Sequence, residues 1–248
     1  MIEIFPKLIS TLPVSLSIIV ASGILGLLLS ILITALRIKR IKLLTPILEA
    51  YISFMRSIPI LLLLFLVYYG LPVFFSLLNL NMNDLSAIVS AIITLIIFNG
   101  AYLSEIVRPA YLAIEKGQHE AADSLGYTNF TKLRKIIIPQ MVPIALPGLG
   151  NAIIYLIHDT SLVFTIGIVD IMGKANIIMA NSYGENKVEV YLTIAIIYWI
   201  VCLLSDRLIK LCENYTYLRK IENKRALNSG NFQLFHKFKK QNIKSKLE

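Results

Sequence analysis

GQHEAADSLGYTNFTKLRKIIIPQMVPIALPGLG, residues Gly117 to Gly150, is the stretch that decides how the rest of the chain is read. It is the one long charge-bearing island between apolar runs. Gln118 to Leu125 reads as a short helix, with Glu120, Ala121 and Ala122 in its first turns and Gly126 where a left-handed C-cap residue is wanted. The two alanines leave a narrow, flat side that fits a groove of another protein, with Glu120 and Asp123 available to polar partners along the rim. A loop helix lying on the bilayer is the poorer reading, because Leu125 is almost its only large apolar residue. The second half of the island carries Pro139, Pro143 and Pro147, which oppose a regular helix.

The flanking sequence explains why such an island stands alone. Of 248 residues, 56% are apolar and only 16% charged, and the mean hydropathy is +0.72. That places the chain outside the range of soluble domains and makes it an all-α integral membrane protein. A helix needs roughly 20 apolar residues to cross a bilayer. Five runs qualify, at about 12–36, 58–78, 85–107, 145–168 and 190–211. Pro59 suits the first turn of the second run, and Asn83 or Asp84 is a candidate N-cap for the third. The fourth is expected to begin near Pro147, after a coupling loop over 108–144. Residues 1–11 and 216–248 are an outer N-terminal segment and a basic tail, expected to be flexible beyond about Leu227.

The net charge of +9, from 24 Lys and Arg against 15 Asp and Glu, sits in the gaps and the tail. It therefore argues for orientation in a membrane and against a nucleic-acid partner. Placing the Arg37 to Lys42 turn, the island and the tail in the cytoplasm puts 21 of the 24 positives there once Arg56 is included. The N-terminus is then outside and the C-terminus cytoplasmic. Attraction of the tail to membrane lipid is weaker as an account than a solvated basic segment that satisfies orientation. Cys202 and Cys212 suggest neither a disulfide framework nor a metal site.

Ionisable and polar groups inside spans are costly and mark function. His158, Asp159, Thr160 and Ser161 are candidates for a translocation path or its gate, against the alternative that Asp159 pairs with His158 or caps a broken helix. Asn99, in the third span, is a further pathway candidate. For Arg56 and Glu105 a structural ion pair is favoured over substrate contact.

Glu120-Ala121-Ala122, three residues, Gly126, nine residues, Ile136, one residue and Ile138-Pro139 resembles the EAA signature of permease subunits of ATP-binding cassette importers. Ile138 stands where leucine is usual. Phe54-Met55-Arg56-Ser57-Ile58-Pro59, Tyr68-Tyr69-Gly70-Leu71-Pro72, Ala101 to Arg108, Lys116-Gly117-Gln118 and Asp159 to Leu162 are similar to the polar amino-acid permeases of the histidine and glutamine type. His158 departs from the lysine common there. The resemblance, covering roughly Thr11 to Tyr215, implies a type I importer fold whose short helix is the coupling helix of a cytoplasmic ATPase dimer. Gly117, Glu120, Ala121, Ala122, Asp123 and Gly126 would carry that coupling. It further implies ATP-Mg bound by the ATPase and no cofactor on this chain, a second permease subunit, identical or paralogous, and an extracellular solute-binding protein. Asp159 to Gly173, ending Val169-Asp170-Ile171-Met172-Gly173, looks most like permeases for L-cystine and related sulfur amino acids.

Enzymatic readings fare poorly. His119-Glu120-Ala121-Ala122-Asp123 nearly matches a zinc-protease pattern but places Asp123 where the second histidine is needed, and the chain carries no phosphate-binding glycine loop. A stand-alone secondary transporter has only the His158-Asp159 pair in its favour. Co-purification separates it from the leading reading: a stoichiometric ATPase retained through the island is expected for an importer subunit, and ion-driven uptake by the chain alone would contradict it.

Overall fold

The computed structural model describes residues 3–79 and 86–244, with side chains described through residue 216. It is helical throughout: α1 (Ile4–Ile9), α2 (Leu12–Ile38), α3 (Leu44–Ser57), α4 (Ile60–Phe65), α5 (Leu71–Leu77), α6 (Ala87–Leu112), α7 (Lys116–Ser124), α8 (Asn129–Lys132), α9 (Ile138–Asp159), α10 (Ile171–Asn181) and α11 (Lys187–Lys244). Among the described residues, five stretches are long and apolar enough to cross a bilayer: Ile4–Ile38, Ile60–Leu77, Ala87–Leu112, Asn129–Ile166 and Lys187–Thr216. α11 runs on as helix to Lys244, through the residues beyond about Leu227 expected to be flexible.

The centre is a close seam between α2 and α6. Small residues on α2 at Ser15, Ser22, Gly26, Ser30 and Thr34 are buried, as are Ser90, Ala91, Thr94, Gly100, Ala101 and Ser104 of α6. In hydrocarbon, where no hydrophobic force drives helices together, such residues let backbones approach and gain dispersion contact. A Cβ on Gly100 would lie 2.5 Å from Leu29, and one on Gly26 would lie 3.0 Å from the Cβ of Asn99. Ser22 donates to the Ile18 carbonyl at 2.6 Å and Thr94 to that of Ser90 at 2.7 Å, whereas the buried hydroxyls of Ser15, Thr34 and Ser90 have no hydrogen-bond partner among the described residues. The opposite face of α2 exposes Val20, Ile24, Leu28 and Leu32, as a lipid-facing surface should.

Prolines shape the other spans. Ile58 is extended before Pro59, so α3 ends there and α4 starts at Ile60. Pro59 thus precedes the helix instead of occupying its first turn. A π-helical turn, Leu66–Gly70, precedes Pro72, and a second, Leu133–Ile137, precedes Pro139. A widened turn relieves the clash of a proline ring with the carbonyl four residues back. Pro143 and Pro147 lie within α9, which runs unbroken through the series expected to interrupt it. The spacing of four puts the prolines on one face, where each removes a single hydrogen bond, and the remaining ladder holds. The fourth helix therefore begins at Ile138, not near Pro147, and gives way at Asp159 to a 3-10 segment, Thr160–Ile166. The third helix extends to Leu112, past the expected end at 107, and is capped by the Ser86 hydroxyl, not by Asn83 or Asp84, which lie outside the described residues.

Contacts fix the sense of each helix. Ile18 packs with Leu95 and Leu156, while Arg37 reaches Glu105, so α2 and α6 run together. A Cβ on Gly148 would meet Ile106, and one on Gly150 would meet Ile209, so α9 returns and α11 runs back again. One end of the bundle holds the C-termini of α2 and α6, α3, α7, α8 and the start of α9. The other holds α1, the 3-10 segment and α10, where Ile4, Leu8, Ile171, Val190 and Ile194 form a core. Residues 1–11, expected as a separate outer segment, contribute Ile4 and Leu8 to that core.

At the first end, Glu105 binds Arg37 at 2.5 Å and Arg56 at 3.3 Å. The Arg37 side chain is 9% exposed and that of Arg56 is 52% exposed, so the two contacts differ in worth. Removing one partner of a buried pair costs about 3 kcal/mol, whereas exposed pairs contribute about 1 kcal/mol or less. Thermal unfolding of the purified protein is expected to show Glu105→Ala strongly destabilised and Arg56→Ala only slightly.

Candidate functional site

Two regions collect the predicted residues. At the island, α7 ends because Gly126 adopts φ +74°, a left-handed conformation that glycine alone takes without strain. Its N–H bonds the Asp123 carbonyl at 3.0 Å and that of Tyr127 bonds Ala122 at 3.1 Å, which closes the helix. A Cβ at Gly117 would meet nothing within 4 Å, so space does not require glycine there. Glu120 and Ala121 are exposed, but Ala122 is 1% exposed and faces the protein's own interior. The two alanines thus do not share one free face. They are consecutive, about 100° apart around the helix, and each serves a different neighbour.

Asp123 also departs from expectation. Lys132 grips both its oxygens, at 2.6 and 2.9 Å, tying α7 to α8, so it is not a free rim group. Gln140 donates to the Gln118 side-chain oxygen at 3.2 Å and to the Ile136 carbonyl at 3.0 Å. His119 meets the Tyr111 ring edge-on with centroids 5.7 Å apart. The short helix is therefore anchored to the ends of α6 and α9. Beside its exposed side stand Leu125 and Phe130, each 72% exposed. Lys132 and Gln140 are not evident from the sequence because nothing in local spacing marks a contact nine or more residues away.

The second region lies along α9. His158 is exposed, and its Nε2 lies 3.5 Å from the Sγ of Cys202 on α11. Asp159 is half-buried at the last helical residue, without an ion-pair partner among the described residues, so pairing with His158 is not formed. Thr160 is buried and donates to the Ile157 carbonyl at 2.8 Å, and Ser161 is half-buried in the 3-10 segment. Asn99 is not with them: it is 5% exposed, faces Gly26 across the central seam, and donates to the Leu95 carbonyl at 2.9 Å.

Asn151 and Tyr155 belong to the same region, although neither stands out from the sequence as a motif. Both are exposed and lie seven and three residues before His158, so the three share one stripe of α9. Their spacing inside an apolar run was the available signal. Lipid cannot solvate an amide, a phenol and an imidazole in a row, so this stripe needs water or another protein chain beside it.

Asp170 was noticed only as part of a run. It is fully buried as the N-cap of α10, and its Oδ1 accepts the Gly173 N–H at 2.8 Å. A Cβ on Gly173 would stand 2.4 Å from the Ile168 carbonyl oxygen. The Asp170–Gly173 spacing is thus a capping device, and its residue types follow from the fold.

Residues 23–214 match the family described as binding-protein-dependent transport system inner membrane components, and the chain belongs to that family. It is 38% identical to the probable amino-acid permease YxeN of Bacillus subtilis over 86% of this chain and 92% of the relative. It is 33% identical to the L-cystine transport system permease TcyL of the same organism, over 85% and 87%. A solved amino acid ABC transporter with histidines superposes with a TM-score of 0.74 at 32% identity, covering 87% of this chain and 96% of that one. The resemblance drawn from the motifs is borne out, as is the type I importer fold with its five spans. The family is one of transport permeases, not enzymes, and membership implies an ATPase partner and a second permease chain.

Burial pushes the Asp170 carboxyl up to about 6, against the lowering effect of the N–H bonds it accepts. The folded state then holds its proton more tightly than the unfolded one, so the associated stability is present in acid and lost as pH rises through about 6. Asp170→Asn keeps the acceptor and removes the titration. Its thermal midpoint is expected to fall less than that of the wild type as pH is raised through this window.

Proposed function

We propose that this chain is the permease subunit of an ATP-driven importer for an amino acid, in which α7 is the coupling helix and the polar stripe of α9 lines the path. The observation that carries the reading is mechanical continuity. Gln118 on α7 is bonded to Gln140 near the start of α9, and α9 continues as one 22-residue helix to His158 and Asp159. A helix of that length spans about 33 Å. A push on α7 at one end of the bundle therefore reaches the polar groups towards the other end without passing through a flexible loop.

In this mechanism a cytoplasmic ATPase dimer carries ATP-Mg, and its closure displaces α7 through Glu120, Ala121 and the apolar Leu125 and Phe130. Asp123 and Ala122 act inside the permease, holding α7 to the body that must move. The excess of basic residues at the α7 end supports a cytoplasmic placement there, with the N-terminus outside and the membrane a bacterial plasma membrane. A solute-binding protein would deliver substrate at the α10 end. The second permease chain, identical or paralogous, covers the stripe of Asn151, Tyr155 and His158 and completes the path. The likeness to an L-cystine permease makes cystine the first substrate to assay, among polar amino acids.

The test is substrate uptake and ATP hydrolysis measured together in the reconstituted complex. Glu120→Trp and Gly126→Val are expected to lower uptake at least tenfold per ATP hydrolysed, while the chain still inserts in the membrane. Normal transport by both variants would remove the coupling role of α7.

A further inference from the structure

We propose that α3 and the basic turn before it form a binding surface for anionic phospholipid at the membrane–water boundary. The helix has 14 residues, about 21 Å, and is too short to cross a bilayer. It does not project away from the bundle either. Its last turn carries Arg56, which shares Glu105 with Arg37 at the end of α2, so α3 begins and ends at one level of the molecule.

Around its axis α3 has three faces. Ile52 and Met55 are buried against the bundle at 4% and 9% exposure, and the Tyr51 hydroxyl donates to the Ile97 carbonyl. Glu49, Ser53 and Arg56 form a polar face beside a charged cleft of about 390 Å³. Leu43, Ile47 and Phe54, spaced four and seven residues apart, form a third face that is apolar and open, at 82%, 63% and 54% exposure. A helix that packs on protein with one side, on water with another and on nothing polar with the third is built for an interface.

Charge selects the lipid. Lys39, Arg40 and Lys42 precede the apolar face, are all exposed, and have no ion-pair partner among the described residues. Three free cations at the rim of an inserted apolar stripe match an anionic headgroup above acyl chain. A second copy of this chain would bring the same cations against one another. Each such residue at a lipid surface is worth about fivefold in affinity.

The inference stands apart from the transport reading and is tested without transport. The full-length chain, with Cys202→Ala and Cys212→Ala, is labelled with a nitroxide at Ile47→Cys and, separately, at Phe54→Cys, and placed in phosphatidylcholine vesicles with and without phosphatidylglycerol. Both labels are expected to collide with oxygen and to be protected from a water-soluble nickel chelate. Nickel access at both positions, or protection from both reagents because protein covers the face, would overturn the proposal. Native mass spectrometry of the purified chain is expected to show phosphatidylglycerol retained over phosphatidylcholine, with the preference reduced at least tenfold by the combined Lys39→Gln, Arg40→Gln and Lys42→Gln. An unchanged preference in that folded variant would equally overturn it.

Discussion

Everything in this molecule is hung on the close approach of α2 and α6. In water, two helices are driven together by burying leucines. In a bilayer the surroundings are as apolar as the leucines themselves, so what remains is contact quality and hydrogen bonding. The chain meets that condition with glycine, serine, alanine and threonine along both helices, and turns its large residues outward to the lipid. Gly26 and Gly100 mark where the backbones come nearest, and neither tolerates an added methyl group without displacing a neighbour. Glu105, held by Arg37, then locks the same two helices at the end where α3 and α7 are attached.

Against that fixed pair, α9 is the member that differs. It carries prolines along one face and the exposed polar groups Asn151, Tyr155 and His158 in its second half, and it is joined to α7 by side chains. α7 itself is held by Ala122, the Asp123–Lys132 pair, the Gln118–Gln140 bond and the His119–Tyr111 contact. A short polar helix that is well tethered on one side and open on the other is suited to transmit force from a partner. The same residues would be pointless in a helix that simply crossed the membrane.

Much of this was legible in the sequence. The number of spans followed from counting apolar residues against bilayer thickness, and the island was evident from charge. Gly126 was identifiable because a helix stop has a conformational requirement that few residues meet. Other features were hidden. The three prolines suggested a break, but their common face let the helix continue. Asn99 reads as a pathway residue on its own, yet it lies in the central seam and bonds its own helix. Asp123 looked available, and Lys132 takes it. Each of these turns on a partner distant in the chain, which no local pattern specifies.

The sequence by itself determined the class of protein, because hydropathy, charge placement and the spacing from Glu120 to Pro139 are one-dimensional quantities imposed by the bilayer and by helix geometry. Only the tertiary structure decided which residues of the island face inward, which polar groups share the stripe on α9, and that α3 lies across the end of the bundle with an apolar face open. Those outcomes depend on how helices rotate about their axes. That rotation is set by side chains from different helices meeting in space, and so cannot be read along a single chain.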